Sequence, residues 1–260
     1  MSRILLTAAV AITAAVAVPA AAQAATIHQD GKTPHRILLQ DAAGEANLLS
    51  VEGSKSVVFH DLNAPIEIDG VPTCMPIDAY TVSCSAVRRI DLDLGIGQDF
   101  ARIDTTLPVE LEGGPGNDRY NAAATRGSSR VTFSGGIGLD SASYAYASTG
   151  VDVSVDLEGG DGRPGDEDRI LRDVEKVLGS QFADVLTGSY RTMEISGLDG
   201  DDVITGGSAA ELLSGGWGSD RIDARDGAAD GVDCGGQLFD AALVDAAGEA
   251  SVTRCAQVGS

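Results

Sequence analysis

The chain has 260 residues, with 18 Lys and Arg against 39 Asp and Glu, a formal net charge of -21 and a pI near 4.2. An acid excess this large argues against binding a nucleic-acid backbone and favours cations or simple solubility. Aromatic residues are 4% of the chain, too few for stacking platforms or a large aromatic pocket, whereas the 33 glycines are roughly twice what about 7% usage would supply.

Residues 1–24 read as a secretory signal. Arg3 gives the positive start, Ile4 to Val18 is an apolar run, and Ala22-Gln23-Ala24 supplies a small-x-small cleavage pattern. The expectation is a secreted, extracellular chain starting near Ala25. An uncleaved anchor is the alternative, although the run falls short of the roughly 20 residues that span a bilayer. Export makes the four cysteines candidates for two disulfides. Cys74–Cys84 and Cys234–Cys255 require the least chain closure. A zinc site is disfavoured, because neither pair has CxxC spacing and His28, His35 and His60 lie elsewhere.

Residues 25–93 carry period-two runs between turn residues, namely NLLSVEG, SVVFHD, IEIDG, YTVSCS and RRIDLDLG, which predict short strands. Residues 94–178 hold scattered glycine-aspartate units, LGIGQDFAR from Leu94, GGPGNDRYN from Gly113 and GGIGLDSAS from Gly135. Asp99 reads as a solvated turn residue, and Asp161, Asp166, Glu167 and Asp168 as a solvated acidic loop, with a cation site as the alternative. In DRILRDVEKVLG, Ile170, Val174, Val177 and Leu178 would line a helix face, but the β-branched residues favour a strand.

From Gly179 to Asp223 the chain divides into five nonapeptides, GSQFADVLT, GSYRTMEIS, GLDGDDVIT, GGSAAELLS and GGWGSDRID, each with an aliphatic residue at its eighth place: Leu186, Ile195, Ile204, Leu213 and Ile222. Glycines at places one, two and four permit positive φ and let carbonyls crowd together. Places seven to nine offer a short strand whose middle side chain points inward. Two units make a coil of 18 residues, and such coils stack in parallel. The carboxylate at place six then lies beside backbone carbonyls, an oxygen-rich setting suited to a hard cation.

GLDGDDVIT and GGWGSDRID resemble the RTX, or haemolysin-type, calcium-binding nonapeptide GGxGxDxUx. The resemblance implies an all-β fold, a right-handed parallel β-roll or β-solenoid over 179–223 with Ca²⁺ held between turns. The N-terminal β region (25–93) and a disulfide-tied segment (224–260) would cap its ends. The ligands it implies are Asp184, Gly197, Asp199, Gly200, Asp202, Gly215, Gly218 and Asp220, with Gly116, Asp118, Gly138 and Asp140 in the isolated copies. Alternate units share an edge, so Asp184, Asp202 and Asp220 would form one calcium edge, while Met193 and Glu211 weaken the other. The site at Gly179 is compromised by Phe182 at place four, and Asp240 reads as a solvated turn residue. A metal-free solenoid remains the alternative for the whole array.

No HExxH or GxSxG motif occurs, which argues against a zinc protease or a serine hydrolase. The sequence therefore points to an exported calcium-binding module that folds on meeting extracellular Ca²⁺, with polysaccharide or the cell surface as candidate partner. A small carbohydrate-active β-solenoid enzyme on acidic polysaccharide is the alternative.

Overall fold

The structure is a computed structural model that describes residues 24–29, 35–41, 46–123, 127–156, 158–237, 239–245 and 251–259. The export signal expected over 1–24 lies outside these residues except for Ala24. Among the described residues all regular structure is β, in 25 strands. The segment that was ambiguous between helix and strand forms Arg169–Ile170 and Lys176–Leu178. No helix here is long and apolar enough to cross a membrane.

The strands belong to three sheets, of seven, twelve and six strands. From Arg89–Asp93 to Val131–Ile137 the chain alternates between the seven- and twelve-stranded sheets. From Lys176–Leu178 to Gln257–Gly259 it alternates between the twelve- and six-stranded sheets. Each return lays a strand parallel to its predecessor. Val185–Thr187, Val203–Thr205, Arg221–Ala224 and Ala241–Val244 pair in this way, with Leu186, Ile204, Ile222 and Ala242 aligned. In the twelve-stranded sheet a longer column runs Leu49, Ala101, Tyr120, Ala142, Val177, Ile195, Leu213, Val232 and Val252.

These columns are the core. All five eighth-place residues are buried, whereas the flanking Val203 and Leu212 are exposed, as the period-two geometry of a three-residue strand requires. The tandem repeat also extends beyond Asp223. RDGAADGVD and GGQLFDAAL, separated by Cys234, place Val232 and Ala242 in the same columns. The segment expected to act as a cap therefore continues the stack.

The five N-terminal runs form strands, Leu48–Gly53, Ser56–Asp61, Ile66–Asp69, Thr81–Ser85 and Arg89–Asp93. Arg36–Gln40 and Leu48–Gly53 join the stack in parallel; beyond them Ala25–Gln29, Ser56–Asp61, Thr81–Ser85 and Cys74–Pro76 pair antiparallel, and Ile66–Asp69 ends the seven-stranded sheet parallel to Ala25–Gln29. Both disulfides are present. Cys74–Cys84 bridges directly opposed residues of an antiparallel pair, while Cys234–Cys255 follows the paired strands Gly231–Asp233 and Ser251–Thr253 and ties neighbouring tiers.

The acidic loop is not a solvated loop. Asp161, Asp166 and Asp168 are buried, and each accepts backbone N–H groups that strand pairing leaves over. Asp161 joins the edges of two sheets, accepting from Ser154 through Oδ1 and from Ile170 through Oδ2, both at 2.7 Å. Asp166 accepts from Ser129 at 2.8 Å. Asp168 accepts from Val131 at 2.8 Å and from the Tyr120 and Tyr144 hydroxyls at 3.2 and 3.3 Å. Glu167 alone of this group stays outside, pairing with Arg130.

The columns predict a sharp positional contrast in one strand. Ile204→Ala should cost about 2–5 kcal/mol, and Val203→Ala, one residue away and exposed, no more than about 0.5 kcal/mol. Urea denaturation of the two variants checks this.

Candidate metal centre

The place-six residue stands immediately before each strand, where its own N–H falls outside the strand ladder. A carboxylate from the next tier accepts that N–H. Along the edge entering the six-stranded sheet, Asp184, Asp202 and Asp220 donate to Oδ1 of Asp202, Asp220 and Asp240 at 2.9, 3.0 and 3.1 Å, and Val151 N–H donates to Asp184 at 2.8 Å. Asp240 is therefore buried and the last member of this column, contrary to the expectation of a solvated turn.

The edge entering the twelve-stranded sheet carries a second column. Asn47, Asp99 and Asp118 donate to Asp99, Asp118 and Asp140 at 2.6, 2.9 and 2.8 Å, and Asp140 donates to Glu175 Oε2 at 3.0 Å. Farther along, Glu211 donates to Asp230 at 2.9 Å. The isolated copies at Asp118 and Asp140 thus lie on the same edge as Met193 and Glu211, and Asp99 belongs with them, buried. The expected contrast between a carboxylate-rich and a carboxylate-poor edge is corrected accordingly. Both edges are carboxylate-lined, and Met193 is a gap in one of them.

Each carboxylate has a second oxygen, and here the tiers differ. Asp184 is saturated by its own turn, because Ser180 at place two donates its N–H to Oδ2 at 2.5 Å and its hydroxyl to Oδ1 at 2.7 Å. Asp240 Oδ2 accepts from Gln237 N–H at 2.5 Å. In contrast, Oδ2 of Asp99, Asp118, Asp140, Asp202 and Asp220 and Oε2 of Glu211 are buried without a hydrogen-bond partner. An unsatisfied buried carboxylate oxygen is costly, so five aspartates repeating the defect in register suggest a common purpose.

The place-one glycines show where those oxygens sit. A Cβ on Gly113 would lie 2.6 Å from both Asp118 Oδ2 and the Gly135 carbonyl, and one on Gly197 would collide with Asp202 Oδ2 while lying 2.7 Å from the Gly215 carbonyl. Glycine is needed at place one for this space, since Gly113, Gly197 and Gly215 do not take positive φ. Positive φ belongs to the later places, as at Gly200 (134°) and Gly218 (142°), where successive turns also pass too closely for a Cβ. Gly116 and Gly138 stack likewise, a Cβ on Gly138 colliding with the Gly116 carbonyl. Of the expected ligands Asp199 is exposed on the outer turn near Trp217, Gly218 and Gln237, and the carbonyls of Gly116 and Gly200 face the next turn's glycine.

Burial and stacking change the acidity of the columns. Burial pushes Asp202, Asp140 and Asp99 up to about 7 and Asp220 up to about 6, and neighbouring carboxylates add to the effect. Glu211 is pushed up to about 8, again by burial first and then by Asp230 and Asp226. Asp118, Asp184 and Glu175 are raised for the same leading reason. Carboxylate oxygens beside peptide carbonyls, with no nitrogen or sulfur donor, form a set suited to a hard cation.

Two residues of this region escaped sequence reasoning. Asp230 and Asp240 occupy place six of the two further units, and the signal that could have found them was Val232 and Ala242 at place eight, obscured by the one-residue insertions of Ala224 and Cys234. Asp226, at place two, has no counterpart in the repeat. The sequence matches no protein-family model, and a search of curated proteins finds no significant match.

The raised values fix the sign of a pH effect on chelator-treated protein. Between the ordinary carboxylate value of 3.8 and about 7, the folded columns hold protons that the unfolded chain has lost, so stability is greatest at the acid end and falls as pH rises through the folded values. Melting followed by circular dichroism in EDTA should give a lower transition temperature at pH 8 than at pH 5.

Proposed function

We propose that this protein is an exported calcium-binding module whose glycine-aspartate tiers form a β-roll of the RTX type and serve as a structural or surface-interaction element. The observation that carries this reading is the in-register set of buried, unpartnered Oδ2 atoms at Asp202 and Asp220 on one edge and at Asp99, Asp118 and Asp140 on the other. Oxidised Cys74–Cys84 and Cys234–Cys255 accord with an oxidising compartment.

Asp202 and Asp220, with the carbonyl of Gly215, and Asp118 and Asp140, with the carbonyl of Gly135, are the groups that would hold the ions. Bound Ca²⁺ would supply positive charge to carboxylates that otherwise repel or take up protons. The chain's own contribution is to bring these groups together. Oδ1 is anchored on the preceding tier's N–H, which leaves Oδ2 aimed at the glycine turn. Asp184 and Asp240 contribute the anchoring bond only, because their second oxygens are already used. Since the unfolded chain lacks the arrangement, cation affinity is coupled to folding, with dissociation constants of about 10⁻⁴ to 10⁻³ M typical of extracellular modules.

Far-UV circular dichroism during Ca²⁺ addition to chelator-treated protein tests the reading, with Mg²⁺ as control. The expected result is a saturable gain in β signal or melting temperature with Ca²⁺ alone, lost in Asp202→Asn/Asp220→Asn. Asparagine keeps one oxygen to accept the neighbouring N–H, so this variant separates ion binding from the anchoring bond. Indifference of the wild-type protein to both ions would leave a metal-free stack.

A further inference from the structure

The unit after Met193 breaks the anchoring pattern. Met193 N–H donates to the Glu175 carbonyl at 2.7 Å, so the Glu211 side chain of the next tier has no place-six N–H to accept. Its Oε1 turns instead to its own turn, accepting Gly207 N–H at 2.6 Å. Its Oε2 is buried without a hydrogen-bond partner in a side chain that is 2% exposed. Gly206 leaves the room for it, since a Cβ there would lie 2.5 Å from Oε2.

The freed carboxylate does not stand alone. One oxygen each from Glu211, Asp226 and Asp230 lies within 4.8 Å of the others. Asp226, at place two, departs from the nonapeptide pattern, and its Oδ1 is fixed by Ala228 N–H at 2.6 Å. Among the described residues no Lys, Arg or His forms an ion pair with Glu211 or Asp226; the nearby Arg225 is engaged by Asp223 at 2.7 Å. The cluster thus includes a buried side chain with one unpartnered oxygen, Glu211, a combination that a cation would stabilise.

We infer that Glu211, Asp226 and Asp230 form a separate divalent-cation site, taking a hard ion of the size and flexibility of Ca²⁺. It differs from the other tiers of the columns in composition, because all three protein ligands are carboxylates and one, Asp226, stands at place two, where the other units carry no acid. It also differs in access. Asp226 lies exposed at the surface, so an ion can reach the site from solvent and keep water ligands. Ca²⁺ tolerates such an irregular oxygen set, whereas Mg²⁺ demands near-ideal octahedral geometry. The site does not depend on the columns binding metal.

Equilibrium dialysis of the purified protein against Ca²⁺, counting ions per chain, tests the assignment. The proteins compared are wild type, Asp226→Asn, Glu211→Gln and Asp202→Asn/Asp220→Asn, each checked for its fold by circular dichroism. Asp226→Asn is the primary variant because that side chain is exposed, and Glu211→Gln preserves volume and the bond from Gly207. The expected result is one ion fewer in each of these two variants, with that ion retained in Asp202→Asn/Asp220→Asn. If the column variant binds as many ions as wild type while Asp226→Asn loses one, the three-carboxylate site stands and the column reading fails. Ion counts in Asp226→Asn and Glu211→Gln equal to wild type, or no Ca²⁺ bound by wild type, would overturn the inference.

Discussion

Parallel stacking at a fixed repeat places each residue directly over its counterpart in the next tier, roughly 4.8 Å away. The rest of the structure follows from this constraint. Inside, it is favourable, because aliphatic residues pile into continuous columns such as Ile195, Leu213 and Val232. At the edges it is unfavourable, because the same rule stacks carboxylate on carboxylate. An N–H before each strand needs an acceptor, and Oδ1 supplies it. Each anchoring bond thus leaves a second oxygen buried in a column of like charges.

The chain relieves that tension in more than one way. At Asp184 and Asp240, polar groups of the local turn absorb the spare oxygen. At Glu175 the relief is an ion pair, with Arg191 at 3.2 Å. Asp202, Asp220, Asp118 and Asp140 have no such provision for the second oxygen, and burial, which also raises Asp184 and Glu175, pushes their carboxyl groups above the usual range. The difference lies in whether the local turn or an arginine supplies a partner for the second oxygen.

Carboxylates also do structural work away from the columns. Asp161 joins strand edges of the six- and seven-stranded sheets where the chain changes from one to the other. Asp168 anchors Val131 and two buried tyrosines, the latter packed edge-on to each other with ring centres 6.2 Å apart. These tyrosines and Phe133 are buried where the stack changes partner sheet. The acid excess therefore includes many buried acceptors of backbone N–H groups and is not only a solvated surface.

Much of this was legible in the sequence, because place eight, the period-two N-terminal runs and the cysteine spacing are local patterns whose meaning depends only on strand geometry and chain closure. Asp230 and Asp240 were not, because the insertions of Ala224 and Cys234 hide the frame that the column restores. Asp161 and Asp168 looked like loop residues, since their burial depends on which N–H groups distant strands leave unpaired. The sequence by itself determined tier length, the inward column and the chemistry of the turns, all set within nine or eighteen residues. Only the tertiary structure decided which tiers adjoin, that Asp118 and Asp140 share an edge with Glu211, and that Asp226 meets Glu211 and Asp230. Glu211 comes from one tier and Asp226 and Asp230 from the next, and stacking brings them together.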